Sequence, residues 1–266
     1  MRNLIITWAS GEDFCKSEGF RVYLKSLKNI DLSNVDVVFV THDMPEETRA
    51  ILKTLEFNVY DVDPNEVGYP IGDRHLHFWR YLAANPDKYN QVLHTDCRDV
   101  VFQRDPFKLV RYSESFILLT NEGMPPSSNG FHCIEQFKFQ QDIPPLFRKE
   151  VRDHVLNGGI AMGTAADLKS HFFLIWALSI KMSPDVTDQA ALNYLFNFLD
   201  HDQTYKVAHP ALDSFCLTGE AVKDSFVESD FRNGVFYHRK LNEPYVLVHQ
   251  WDRTKYQENV LAHYLE

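Results

Sequence analysis

The chain has 266 residues, of which 44% are hydrophobic and 24% are charged. This ordinary globular balance excludes a disordered or collagen-like protein and supplies the core of one large α/β domain or of two small ones. The formal net charge of −10 argues against a general DNA- or RNA-binding protein, because affinity for a phosphate backbone comes from clustered cations.

The first third of the chain alternates short apolar runs with segments of helical spacing. The third such helical segment begins with an aspartate and an arginine, and the second begins with a proline and two glutamates, as the first turn of a helix commonly does. Strands that alternate with helices indicate a parallel sheet with right-handed crossovers. We expect strands at residues 4–9, 35–40, 57–62 and 91–95, and helices at residues 14–27, 45–55 and 73–84.

The rest of the chain is less regular. Residues 121–130 hold two prolines, two glycines and two serines, a composition that predicts a loop. There is no internal repeat or flexible linker, so one domain is the simplest organisation, with the C-terminal portion folded back on the N-terminal half. We expect strands at residues 115–120, 156–162 and 245–249, and helices at residues 165–180 and 188–199.

Residues 92–107 carry the most informative chemical pattern. Asp96 directly follows an apolar strand, and Asp99 comes three residues later, before a second apolar run. Ligands of parallel α/β sheets bind beyond the carboxyl ends of the strands, where two carboxylates can chelate one hard cation. Such a cation would also offset the charge of a phosphorylated ligand on this acidic protein. The alternative is structural: Asp96 caps a turn and Asp99 pairs with Arg98 or Arg104.

This segment resembles the metal-binding segment of the GT-A-fold glycosyltransferases, the nucleotide-diphospho-sugar transferases. Many of them place a D-x-D motif, or a spaced variant, at the end of such a strand and follow it with apolar residues and Asp-Pro-Phe. Here the spacing is D-x-x-D, and Asp105 begins the Asp-Pro-Phe triplet. The resemblance implies an α/β fold with a mostly parallel, Rossmann-type central sheet flanked by helices. It also implies a nucleotide-binding half at about residues 1–110 and a sugar- and acceptor-binding half at about residues 111–266, which together form a single domain.

Two further segments agree with the resemblance. Asn157, Gly158 and Gly159 look like the family's Asn-x-Gly strand, which lines the sugar pocket, and glycine there lets the backbone approach a ligand closely. Asp188 and Gln189 look like the family's Asp-Gln helix start, whose polar pair faces the transferred sugar. The structural alternatives are a β-bulge or hairpin for the first segment and an ordinary helix N-terminus for the second.

His249 ends an apolar strand near the C-terminus. In many GT-A enzymes a C-terminal histidine completes the metal site, so the resemblance implies that Asp96, Asp99 and His249 hold Mn²⁺ or Mg²⁺. The alternative is a hydrogen-bonded core histidine, which is the default for any one of the 12 histidines in the chain.

The resemblance implies a metal-dependent glycosyltransferase that moves a sugar from a nucleotide-diphosphate donor to a hydroxyl acceptor, such as a glycan. Asp188 and Gln189 would be the catalytic pair, with retention of configuration slightly favoured; if the enzyme inverts, Asp188 would be the base. The same acids would also suit a metal-dependent phosphatase or nucleotide-sugar hydrolase. A non-catalytic carbohydrate- or nucleotide-binding module is the third alternative.

Other donor-binding candidates follow from the same architecture. Thr7, Trp8 and Ala9 lie after the first strand, where a nucleobase would sit, and the Trp8 ring could stack on it, although a tryptophan in a strand is more often part of the core. Arg74 opens the helix before the acid pair and could reach a phosphate, and a surface salt bridge is the alternative. His75 and His77 are two residues apart and so do not share a helical face.

The expected compartment is the cytoplasm. The chain has no apolar stretch long enough to cross a bilayer, and its first apolar run soon reaches two acidic residues, which is untypical of a signal peptide. Its four cysteines form no CxxC pair, which predicts buried free thiols in a reducing environment.

Overall fold

The computed structural model describes residues 1–68, 70–109, 116–123, 155–180, 188–196, 204–223 and 227–266. Four parts of the sequence predictions lie outside the described residues: the first residue of the strand expected at 115–120, residues 124–130 of the expected loop, Cys133, and the end of the helix expected at 188–199.

The secondary-structure elements of the described ranges are numbered in chain order. The strands are β1 (Arg2–Trp8), β2 (Val35–Thr41), β3 (Asn58–Asp61), β4 (Tyr89–Thr95), β5 (Val100–Phe102), β6 (Ile117–Asn121), β7 (Leu156–Thr164), β8 (Tyr205–Ala208), β9 (Cys216–Thr218), β10 (Ser229–Arg232), β11 (Val235–His238), β12 (Glu243–Pro244) and β13 (Leu247–His249). The helices are α1 (Glu12–Lys16), α2 (Glu18–Ser26), α3 (Glu46–Thr54), α4 (Pro70–Ala84), α5 (Ala165–Ser179), α6 (Asp188–Tyr194), α7 (Gly219–Lys223) and α8 (Gln257–Leu265).

Seven strands form the central sheet, in the order β3-β2-β1-β4-β7-β6-β8. Strands β1 to β4 are mutually parallel, β7 is antiparallel to both of its neighbours, and β6 pairs in parallel with β8. The sheet is therefore mostly parallel, and the predicted fold class is confirmed. Because β7 runs against β4, the start of β7 lies beside the carboxyl end of β4.

The core lies on both faces of this sheet, as the side-chain alternation of β1 requires. Ile5 points to the face covered by α2, where it joins the cluster that contains Phe20 and Tyr23. Leu4 and Ile6 point to the opposite face, which is covered by α4 and α5. Strands buried on both faces read as continuous apolar runs, which is why their pattern was visible in the sequence.

A small second sheet, in the order β5-β13-β9, brings the C-terminal portion back to the acid pair. Strand β13 is antiparallel to β5, and His249 is paired with Val100, the residue directly after Asp99. This pairing fulfils the expectation that a C-terminal segment returns to the carboxyl end of β4.

Some element boundaries differ from those expected. The helix predicted at residues 14–27 is two helices, because Ser17 adopts an extended conformation and its hydroxyl accepts a hydrogen bond from the backbone N–H of Phe20, which caps α2. Helix α4 begins at Pro70, so Arg74 lies in its second turn and does not open the helix. Strands β5 and β8 to β12 were not expected, since they are two to four residues long.

Cys15, Cys97 and Cys216 are buried free thiols, as predicted. None of the helices within the described ranges is long and apolar enough to span a bilayer.

Candidate active site

A cleft of about 300 Å³ opens where the carboxyl end of β4, the start of β7 and the end of β13 meet. Nine of the twelve residues predicted to bind or react line this cleft. Its lining comprises Ile71, Arg74, Asp96, Arg98, Asp99, Asn157, Gly158, Gly159, Asp188, Gln189, His249, Gln250 and Arg253.

Asp96, Asp99 and His249 form one cluster at the floor of the cleft. One ligand atom from each lies within 4.8 Å of the other two. The Nε2 atom of His249 is 3.5 Å from Asp96 Oδ2 and 3.4 Å from Asp99 Oδ1. The Asp96 side chain is 30% exposed, whereas those of Asp99 and His249 are 9% and 3% exposed, so the cluster opens to the cleft through Asp96.

The electrostatics of this cluster favour a bound cation. Burial alone would lower the pKa of His249, but Asp99 and Asp96 outweigh burial and raise it to about 10. Burial alone would raise the pKa of Asp96, but Arg74 and His249 hold it well below its usual range. Asp96 is thus anionic at neutral pH, and the His249 imidazolium lies between the two acids, where a metal cation would take over its charge.

The donor set and the local space also fit a divalent metal. Two carboxylates and one imidazole suit Mn²⁺, and carboxylates with added water suit Mg²⁺. A Cβ atom on Gly159 would lie 2.4 Å from Asp96 Oδ2 and 2.7 Å from His249 Cε1, so only glycine leaves room for these ligands. The backbone N–H of Asp96 donates to the carbonyl of Gly159 at 2.7 Å, which fixes this close approach.

Arg74 joins the cluster of Asp96, Asp99 and His249 to the opposite wall of the cleft. Its Nη1 donates to Asp96 Oδ1 at 2.7 Å, and its Nε and Nη2 donate to Asp188 Oδ2 at 3.1 and 2.5 Å. The surface salt bridge considered from the sequence is therefore wrong, since the Arg74 side chain is only 13% exposed and pairs across the cleft.

Asp188 begins α6 and is held from two directions. Besides Arg74, the Nε2 of the buried His75 lies 2.9 Å from Asp188 Oδ2. Burial alone would raise the pKa of Asp188, but Arg74 and His75 outweigh burial and lower it to about 2. Asp188 is therefore a fixed carboxylate at neutral pH.

Gln189 follows Asp188 and is held by its amide nitrogen. The Nε2 of Gln189 donates to the backbone carbonyl of Leu156 at 2.8 Å and to Glu122 Oε1 at 3.3 Å. Asn157 Nδ2 donates to the same Glu122 oxygen at 2.7 Å. Burial raises the pKa of the Glu122 carboxyl, which lies behind the two amides. Asn157 in turn accepts from the backbone N–H of Gly159 at 2.7 Å, so this network reaches the metal cluster.

Thr7, Trp8 and Ala9 lie outside the lining of this cleft, but the backbone carbonyl of Trp8 accepts from the thiol of Cys97, the residue directly after Asp96. Thr7 and Ala9 are fully buried, while Trp8 is half-buried. The Trp8 ring lies between His42 and His77, with ring centres 5.5 and 5.9 Å apart. Within this segment, Trp8 is thus the residue whose side chain is accessible to a ligand.

The sequence reasoning missed several residues of the site. His75 and Glu122 are buried behind Asp188 and Gln189, and Gln250 and Arg253 line the cleft. The signal for Gln250 and Arg253 was their place within four residues after His249. No local signal marks Glu122, whose role depends on strand β6 ending beside β7.

A family model described as nucleotide-diphospho-sugar transferase matches residues 89–255, which include both the acid pair and His249. The chain belongs to this family. Membership identifies this nucleotide-diphospho-sugar transferase as a glycosyltransferase enzyme, and its mixed sheet is the GT-A fold. A search of curated proteins found no match.

Solved glycosyltransferase structures share the fold of this transferase. LgtC, a galactosyltransferase in complex with donor and acceptor sugar analogues, has a TM-score of 0.59 at 14% identity, over 99% of this chain and 96% of that chain. An active-site mutant of LgtC in which glutamine is replaced by glutamate has a TM-score of 0.58 at 15% identity, over 93% of this chain and 87% of that chain. GlyE of Streptococcus pneumoniae TIGR4 has a TM-score of 0.57 at 15% identity, over 100% of this chain and 61% of that chain.

Proposed function

We propose that this glycosyltransferase depends on Mn²⁺ or Mg²⁺ and transfers a sugar from a nucleotide-diphosphate donor to a hydroxyl acceptor, such as a glycan. The observation that carries this proposal is the convergence of Asp96, Asp99 and His249 within 4.8 Å at the floor of a cleft. When bound there, the metal would act as a Lewis acid on the diphosphate leaving group.

The chain's own residues would prepare the donor for transfer. Arg74 lies between the metal cluster and Asp188, where its guanidinium would orient the diphosphate end of the donor against the sugar wall. The backbone at Asn157, Gly158 and Gly159 would line the donor sugar, because the glycines let the strand approach it closely. Asp188 and Gln189 would then contact the sugar hydroxyls or the reacting carbon.

The protonation of this catalytic pair supports retention of configuration. An inverting enzyme needs a general base, which works best when its pKa lies near the working pH. Asp188 has a pKa of about 2 and is therefore a poor base, and the amide of Gln189 does not take up protons at neutral pH. That the LgtC active site also contains a glutamine is consistent with this assignment. NMR of the anomeric proton of the product tests it.

We assign about residues 1–110 to nucleotide binding, with Thr7, Trp8 and Ala9 beside the base, and about residues 111–266 to binding of the sugar and acceptor. The Trp8 ring would supply the stacking surface. We place the enzyme in the cytoplasm, and the three buried free cysteines support that assignment, since thiols persist in a reducing compartment.

Thermal unfolding tests the donor and the metal together. Each nucleotide sugar is added with Mn²⁺, and the matching donor should raise the free energy of unfolding by about 2.7 kcal/mol at about 100 times its dissociation constant. EDTA should abolish the stabilisation. Asp61→Asn serves as a control, because Asp61 pairs with Arg49 at the surface, away from the cleft. Stabilisation that persists in EDTA would contradict metal dependence.

A second assay separates transfer from hydrolysis. The donor identified by stabilisation is incubated with and without candidate hydroxyl acceptors, and the release of nucleoside diphosphate is measured. A transferase should release it much faster with the correct acceptor and form a glycosylated product. Equal release with and without every acceptor would favour the nucleotide-sugar hydrolase.

A further inference from the structure

The two oxygens of Asp188 have different surroundings. Oδ2 accepts from Arg74 Nε, Arg74 Nη2 and His75 Nε2. Oδ1 has no hydrogen-bond partner among the described residues, and a Cβ atom on Gly158, a residue of the cleft lining, would lie 3.5 Å from it. Three donors on one oxygen thus leave the other beside Gly158, at the boundary between the cleft and a smaller cavity lined by His75 and His94.

The Asp188 contact determines which nitrogen of His75 carries the proton. A carboxylate oxygen can only accept, so the Nε2 atom of His75 must donate. Burial lowers the pKa of His75, so the ring is neutral and its Nδ1 atom is an acceptor. This Nδ1 is buried and has no partner in the described part of the chain.

His94 presents the same situation from strand β4. Its Nδ1 lies 3.4 Å from the backbone carbonyl of Ile6, which can only accept, so Nδ1 carries the proton. In this tautomer Nε2 is a second acceptor, and it is buried without a partner within the described ranges.

Two acceptors cannot bond to each other, but a single water molecule can donate to both. His75 and His94 line the same enclosed cavity of about 10 Å³, close to the smallest volume that holds one water. Their ring centres are 5.8 Å apart, so both rings border the same small space. An unsatisfied buried acceptor is costly, so this arrangement favours hydration.

We propose that His75 is a positioning residue for Asp188, and that one buried water bridging His75 and His94 holds His75 in the tautomer that donates to the carboxylate. Asp188 Oδ1 is thereby kept directed towards the donor sugar. This inference rests on the proposed role of Asp188 in transfer. It adds a water site and two histidines that support the reaction without touching the substrate.

Kinetics of His75 variants test the positioning role. His75→Leu removes the donor, and we expect kcat to fall on the order of 10- to 100-fold, because a small misplacement of a reacting group is enough for such a loss. His75→Gln restores an N–H donor and should recover most of kcat. His238→Leu is the matched control: His238 and His75 are both 3% exposed, but His238 lies on β11, away from the cleft.

The control separates positioning from stability. His238→Leu should lower the melting temperature as His75→Leu does, without changing kcat. In an Asp188→Ala background, His75→Leu should have no further effect on kcat. An equal loss in both backgrounds, or no rescue by His75→Gln, would overturn the positioning role. Full activity of Asp188→Ala alone would instead show that the proposed role of Asp188 in transfer is wrong.

The water and the tautomers have their own test in the unmodified enzyme. Histidine ¹⁵N chemical shifts should show the proton on Nε2 of His75 and on Nδ1 of His94. A high-resolution crystal structure should show one water within about 3.2 Å of both acceptor nitrogens. A proton on Nδ1 of His75, or a dry cavity, would overturn the bridge whatever the kinetic result, and both readouts remain available if His75→Leu does not fold.

Discussion

The two sides of the cleft share Arg74 but differ in how their charges are compensated. The proposed metal side holds Asp96, Asp99 and His249: the His249 imidazolium there must lose its proton before it can bind a metal, and Asp96 is 30% exposed. The proposed sugar side holds Asp188, whose side chain is 6% exposed and whose charge is compensated by fixed donors of the protein. The cluster of Asp96, Asp99 and His249 is therefore suited to exchange a proton for a metal ion, whereas Asp188 is suited to keep one position.

The largest expected effect comes from removing a carboxylate on the metal side. Asp99→Asn should lower kcat by more than about 10³-fold, since metal stabilisation of the leaving group would be lost. The metal-free variant should still fold, with a lower melting temperature because the buried His249 loses one of its two anionic partners. Steady-state kinetics with Mn²⁺ and thermal unfolding check this, with Asp61→Asn as the exposed control. Wild-type turnover in Asp99→Asn would favour a metal-independent site.

Arg74 pairs with residues on both sides of the cleft. The substitution Arg74→Met should destabilise the metal-free protein by about 3–5 kcal/mol, because it leaves Asp188 as a buried charge that has lost its main partner. Unfolding in urea measures the change. For comparison, Arg232→Met removes an exposed pair with Asp230 and should cost less than about 1 kcal/mol. Equal losses of stability in Arg74→Met and Arg232→Met would mean that Arg74 does not stabilise the buried Asp188.

A side chain at position 159 should disturb the proposed metal ligands Asp96 and His249 and leave Asp188 unaffected. Gly159→Ala places a methyl group 2.4 Å from Asp96 Oδ2, so Mn²⁺ affinity should fall by about 10- to 100-fold. Gly68→Ala is the matched control, because its Cβ would meet only Asp73 Oδ2, at 3.7 Å. Isothermal titration with Mn²⁺ measures both variants, and unchanged affinity in Gly159→Ala would place the metal elsewhere.

The pH dependence of stability should distinguish the sugar side. The pKa of Asp188 falls from an ordinary 3.8 to about 2 in the folded state, so its ion pairs stabilise the fold above pH 4, and this contribution is lost as pH falls towards 2. The contribution is about 2 kcal/mol. The stability difference between wild type and Asp188→Asn should therefore shrink between pH 5 and pH 2 in urea titrations. A difference that is constant with pH would contradict the lowered pKa.

The sequence predicted the parallel part of the sheet and most of the cleft. Strands β1, β2 and β4 are buried on both faces, so their apolar runs are readable without knowledge of the neighbours. The acid pair and His249 each directly follow or end such a run, and the resemblance to the family connected them. These features depend on short stretches of sequence, which is why they could be predicted without knowledge of the fold.

The features that were not predicted depend on contacts between distant parts of the chain. Arg74 and Asp188 are 114 residues apart, and no spacing rule joins them. The burial of His75 depends on Phe78 beside it and on Phe172 from α5. The break at Ser17 was missed for a different reason. It is a local feature: the serine caps a new helix although the apolar residues around it keep a continuous helical spacing.

The most direct test of the account is the position of the metal. Crystals of the enzyme with Mn²⁺ and the diphosphate that stabilises it should give a single anomalous peak within about 2.0–2.3 Å of Asp96, Asp99 and His249 Nε2. The diphosphate should contact the same ion. A peak outside this cluster, or a bound diphosphate with no anomalous peak beside these three residues, would contradict the account.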